Sequence, residues 1–253
     1  MKICVIGALA ALAASAGVAN AITYSYSRTG GANNSDGGAL QSIQSTFNTQ
    51  TNRFTWTANF SNRITNGFTL VVSPGANPKG HPGELAILYF DNTNLANPVL
   101  TVYGYNAKND QDSYRDGSNA SGTQAPDRIM SSVNSSSLVN NLSATNTSGG
   151  GRRLSFDIDA SVINAHFPTY ANPAGDDYTG VEYGNDPSNP NRIGIWFHTN
   201  AGLSTSYNSD GYLTNWSSPL QGWLDLSNRT VTPAPGSVAL LAIGSLVASR
   251  RKR

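Results

Sequence analysis

The sequence predicts an all-β chain, an antiparallel β-sandwich for which a jelly roll is one admissible strand order. Three observations carry this. Apolar and polar residues alternate with period two through much of residues 22–228, the spacing of strands with one buried face. Turn-forming Gly and Pro, 25 and 12 of the 253 residues, gather between these runs. No amphipathic helix longer than one or two turns is visible. In order, residues 22–27 set Ile22, Tyr24 and Tyr26 against Thr23, Ser25 and Ser27. Leu40, Ile43 and Phe47 lead through the polar turn 48–52 into residues 53–60, where Phe54, Trp56 and Phe60 share a face, so a hairpin is expected. Residues 68–72 make a strand stopped by Ser73-Pro74-Gly75. Residues 84–91 are apolar on both faces, as in a strand covered from both sides, and should pair with 99–105. Later strands are expected at 153–159, 193–198 and 222–226, with one or two helical turns at 160–166. About ten strands in this length suit a single sandwich. Residues 106–127, 134–151 and 170–191 read as long loops, and the loop end of a sandwich is its usual binding edge.

Composition bounds the function. Sixteen Lys+Arg oppose 15 Asp+Glu, a net charge of +1, and only 12% of residues are charged. A nucleic-acid partner would call for a clustered basic excess, which is missing. The single Cys excludes a disulfide framework and a cysteine-ligated zinc site. Low charge with abundant Asn, Ser, Thr and Gly suits an exported β-protein.

The two ends carry address signals. Lys2, an apolar run to Val18 and the small-residue exit Ala19-Asn20-Ala21 form a secretory signal peptide, residues 1–21, read by signal peptidase and the secretion machinery. The body occupies residues 22–228. A Pro-containing linker follows at 229–236, with Pro233, Ala234, Pro235 and Gly236 expected to break structure and act as a spacer. Residues 237–249 form a 13-residue hydrophobic helix; at about 1.5 Å per residue it reaches only about 20 Å, short of a hydrocarbon core. Arg250, Arg251, Lys252 and Arg253 close the chain as a basic tail held inside by the positive-inside rule. Without Lys2 and those four cations, 11 positive residues face 15 negative ones, and the body carries −4.

Pro-Ala-Pro-Gly, a Leu/Ala/Gly-rich helix and a terminal Arg/Lys cluster, in that order at the C-terminus, resemble the PEP-CTERM protein-sorting domain. Ala234 stands where the usual signal has Glu. The resemblance covers residues 233–253 and assigns no family to the body. It implies recognition by an exosortase-type membrane protease and removal of the tail. The destination it implies is the surface or exopolysaccharide matrix of a diderm bacterium, after transient anchoring in the inner membrane.

Chemistry is sparsely marked. Asp110, Asp112 and Asp116, near Gly117, read either as part of a calcium loop or as a solvated turn. Asp176, Asp177, Glu182 and Asp186 form a looser acidic group. Asp157 and Asp159 share a strand face and read as surface residues. His81, His166 and His198 have no local partner, and neither G-x-S-x-G nor H-E-x-x-H occurs. The expectation is a non-enzymatic exported protein without a required cofactor, structural or adhesive at the cell surface. The alternatives are a carbohydrate-binding module, calcium-assisted or not, that engages extracellular polysaccharide, and a secreted glycan-active hydrolase.

Overall fold

The computed structural model describes residues 21–75, 77–78, 83–105, 113–116, 127–167, 178–184 and 186–235. Antiparallel pairing organises two six-stranded sheets. The first, in the order β14-β1-β2-β3-β9-β8, is built from β1 (Ile22–Thr29), β2 (Leu40–Asn48), β3 (Arg53–Phe60), β8 (Val139–Asn146), β9 (Arg152–Asp159) and β14 (Thr232–Pro235). The second, β13-β10-β4-β5-β6-β7, contains β4 (Thr65–Ser73), β5 (Leu85–Asp91), β6 (Val99–Tyr105), β7 (Arg128–Ser131), β10 (Arg192–Ala201) and β13 (Leu220–Thr230). A separate hairpin joins β11 (Ser204–Tyr207) to β12 (Leu213–Ser217), and two single helical turns are α1 (Ser113–Asp116) and α2 (Ser161–Asn164).

Local chemistry sets the β2–β3 hairpin. The Asn48 side chain accepts hydrogen bonds from the amides of Gln50 and Thr51, both at 3.0 Å, and Asn52 closes the turn at φ 51°. The register then puts Phe47 opposite Phe54 and Ser45 opposite Trp56. Phe54, Trp56, Ala58 and Phe60 are buried on the inner face, as the alternation predicts. Across the sandwich, Trp56 meets Phe197 at 5.5 Å between ring centroids; within the second sheet, Phe68 stacks on its cross-strand neighbour Phe90 at 4.8 Å.

The central strands of the second sheet are buried on both faces, which explains the double apolar pattern of 84–91. Its outer side presents Val71, Ile87, Tyr89, Tyr103 and Trp196, and the β11–β12 hairpin covers them with Leu203, Leu213 and Trp216. Polar clasps hold this cover down. Tyr103 Oη accepts the Leu213 amide at 2.8 Å, Tyr114 Oη accepts the Trp216 amide at 3.1 Å, and Asp91 binds Thr205 and Tyr207.

Some segments differ from the sequence reading. Residues 134–151 are not one loop: β8 pairs with β9 as an edge strand, its only buried residue being Ala144. An edge strand open to water needs little apolar alternation, so the Asn/Ser-rich stretch hid it. Within 170–191, Val181 and Tyr183 are fully buried, and Thr179 bridges Leu85. Residues 229–235, read as a spacer, are strand on both sides of Val231, in β13 to Thr230 and in β14 to Pro235. Proline is tolerated there because β14 lies at a sheet edge, where a missing N–H interrupts no inner ladder. The 160–166 expectation holds as α2. Residues 1–20 of the expected signal peptide 1–21 and the apolar run 237–249 lie outside the described residues. No helix among those described is long and apolar enough to cross a membrane.

Asp157 and Asp159 sit at the wet face, as expected. Arg53 donates through Nε to Asp157 at 2.9 Å and through Nη2, Asn140 adds a bond at 3.2 Å, and Asp159 accepts the Ser161 amide at 2.9 Å before α2. The Arg53 hydrogen bond holds the Asp157 carboxyl below its usual range. A depressed carboxyl pKa stabilises the fold above the unfolded value near 4, and that contribution is lost as pH falls through the folded value. Asp157→Asn should therefore cost under about 1 kcal/mol at pH 7, because Arg53 is largely exposed. Urea titrations of both proteins should converge only once the pH has fallen below the depressed folded-state value of Asp157.

Candidate functional site

One end of the sandwich collects several chain crossings. Here β4 ends at Ser73, β5 begins at Leu85, β6 ends at Tyr105, β7 begins at Arg128, and β9 runs into α2. The long connections that the sequence marked around 106–127 and 170–191 leave from this end, and the register Ile22↔Pro235 brings the first and last strands of the described body to it as well.

Within it, three side chains from three connections converge. Glu84 precedes β5, Asp127 precedes β7, and His166 follows α2. One ligand atom from each lies within 4.8 Å of the others. His166 Nε2 is 3.0 Å from Asp127 Oδ2. Glu84 and Asp127 are only 4% and 3% exposed, so this is an interior cluster rather than a solvated acidic patch. Backbone bonds fix it: the Gly104 amide donates to the Asp127 carbonyl at 2.8 Å, and the Thr179 amide donates to the Glu84 carbonyl at 2.7 Å. Gly104 is needed for space. A Cβ there would stand 1.8 Å from Glu84 Oε1 and 3.2 Å from Asp127 Oδ2.

Tyr178 completes the group. Its ring meets His166 edge to face at 5.1 Å, and its buried hydroxyl has no hydrogen-bond partner among the described residues. Burial, then the charges of Glu84 and Asp127, push its phenol well above the ordinary value, so Tyr178 stays a neutral donor. Tyr178 also lines a cleft of about 390 Å³ with Pro74, Asn164, Thr179, Glu182 and Asp186. Asn164 accepts the Val181 amide at 2.9 Å and thereby shapes one wall. Two carboxylates and an imidazole so placed can hold a divalent cation or share protons.

The residues singled out from sequence fall differently. Asp110 and Asp112 lie outside the described residues. Asp116 ends α1, a turn docked by buried Tyr114, whose ring packs on Tyr89 at 5.8 Å. Glu182 and Asp186 border the cleft, whereas Asp176 and Asp177 lie outside the described residues. His198 packs on Trp196 at 4.1 Å and stands 3.8 Å from Asp225. Pro233, Ala234 and Pro235 form β14 beside β1, and Ala21 precedes β1. Ala19, Gly236, Arg250, Arg251, Lys252 and Arg253 lie outside the described residues, as does His81. Sequence reading missed the Glu84–Asp127–His166 group. Its members are far apart along the chain, and only the joining of both sheets at this end unites them. Comparison with protein-family models, curated proteins and solved structures gives no match.

Proposed function

We propose that this protein is an exported, non-enzymatic β-sandwich held at the cell surface or in the extracellular matrix, where it serves a structural or adhesive role. The observation that supports this most is the pairing of β14 with β1. Ile22, the first residue after the expected signal-peptide exit, lies opposite Pro235 of the sorting motif. A domain whose two processing points share one sheet edge hangs from a single corner. Its opposite end, with the 29–40, 60–65 and 146–152 turns, then faces outward.

The edge position also suits processing. Pro233 and Pro235 contribute no N–H, so β14 pairs through few hydrogen bonds and peels from β1 without disturbing an inner strand. An exosortase-type protease then reads the Pro-Ala-Pro segment and removes the apolar, basic tail. Signal peptidase acts at the other end, after Ala21. The sandwich we propose is made of meanders rather than a jelly roll, because β1–β3 and β4–β7 are each consecutive within one sheet.

Burial of aromatic rings favours the structural reading over glycan stacking. Trp56, Trp196 and Trp216 are core residues, while the exposed Phe167 and Trp223 lie on different elements, one past α2 and one in β13. A carbohydrate-binding module would present neighbouring rings on one face. The test replaces Pro233–Pro235 with Ser-Ala-Ser and follows the protein in fractionated cells. Retention of the unprocessed chain in the membrane is expected. Unchanged size and unchanged location would count against the proposal.

A further inference from the structure

Beyond the surface role, we propose that Glu84, Asp127 and His166 bind one divalent transition-metal ion of the zinc or manganese class at the loop end of the sandwich. Two oxygen donors and one imidazole suit such an ion. Calcium is the poorer match, since it takes six to eight oxygen ligands and gains little from imidazole. In a tetrahedral site with bonds of about 2.1 Å, ligand atoms stand about 3.4 Å apart. The three donor atoms already lie within 4.8 Å of one another, close to that spacing.

A second observation is independent of the acidic pair. The Tyr178 hydroxyl is buried beside these groups with no hydrogen-bond partner among the described residues, an unfavourable state for a polar group. Three protein ligands leave a coordination position for water, and that water supplies the partner Tyr178 lacks. Gly104 fits the same picture, because any side chain there would occupy the space into which the Glu84 carboxylate reaches. The ligands come from the starts of β5 and β7 and from the end of α2, so the ion cross-links the two sheets where the long connections leave them.

The test uses the purified full-length protein, stripped with chelator and titrated separately with Zn²⁺, Mn²⁺ and Ca²⁺ by calorimetry and thermal unfolding. One equivalent of Zn²⁺ or Mn²⁺ is expected to bind. The midpoint should rise by about 5–10 °C at an ion concentration 100 times the dissociation constant. His166→Asn, a change at the cluster's partly exposed member, should weaken binding at least about 100-fold, and Glu84→Gln should do the same. Tyr178→Phe should keep the stoichiometry and weaken affinity by no more than about 10-fold. If Glu84→Gln fails to fold, the His166→Asn result decides. Absence of saturable Zn²⁺ or Mn²⁺ binding, equal affinity in His166→Asn, or a response to Ca²⁺ alone would each overturn the assignment.

Discussion

Trp56→Ala is expected to remove about 3–5 kcal/mol of stability, a large share of the roughly 5–15 kcal/mol a domain typically holds. Trp56 is fully buried at the centre of the first sheet and packs on Phe197 of the second, so its loss opens a cavity between the layers. The neighbouring strands cannot close it, because β2 and β9 are fixed on either side by full ladders. Trp56→Phe should cost much less, near 1–2 kcal/mol. The indole Nε1 has no partner among the described residues, so exchanging it for an apolar edge removes an orphaned donor while retaining most of the volume. Urea unfolding checks both: the midpoint should fall in that order at an unchanged slope. Equal midpoints for Ala and wild type would mean that the two sheets do not pack through this residue.

Asp91→Ala is expected to cost about 2–4 kcal/mol and to act first on the β11–β12 cover. The Asp91 carboxylate is 4% exposed at the end of β5. Oδ2 accepts Thr205 Oγ1 at 2.6 Å and Tyr207 Oη at 2.7 Å, and Oδ1 accepts the Thr93 amide at 2.7 Å. Three donors aimed at one buried charge make it tolerable inside the protein. Alanine leaves two hydroxyls without an acceptor. Burial, followed by the Asp91 charge and its hydrogen bond, pushes the Tyr207 phenol far above its ordinary value, so Tyr207 remains a donor at any accessible pH. Hydrogen exchange should show early opening of residues 204–217 in Asp91→Ala, while β2 and β3 keep their protection. Asp91→Asn should fall between the two, since its carbonyl still accepts but carries no charge.

The inner-face strands were readable because their burial leaves a periodic imprint. Phe54, Trp56 and Phe60 alternate with polar neighbours, and the all-apolar 84–91 run announces a strand covered twice. What covers it was not readable. The β11 segment reads Ser-Thr-Ser-Tyr, and it is held by single polar contacts such as Tyr207 to Asp91 rather than by a repeated apolar face. The same physics hid β8, whose side chains mostly face water. Tyr183 sits in a stretch rich in Asn and Asp yet is fully buried, its hydroxyl bonded to Ser45 and its ring packed on Phe54 at 5.7 Å. A single aromatic anchor carries no period for a sequence pattern to detect.

The candidate cation site was illegible for a related reason. Ligand motifs can be read when one helix or one turn supplies two ligands at fixed spacing. Here Glu84, Asp127 and His166 each come from a separate connection, and their meeting depends on Gly104 leaving room and on β9 delivering α2 to that end. The proposed sorting motif presents the reverse case. Its residues were conspicuous as sequence, while their pairing with β1 emerges only from the register. That register sets Ile22 opposite Pro235, so the two ends of the described body meet at one sheet edge.

Intact mass spectrometry of the protein recovered from the surface or matrix of its cells tests the central claim most directly. A chain that begins at Ile22 and ends before residue 237, with β14 at or near its new terminus, is expected. A surface-located chain that still carries residues 237–253 would contradict it.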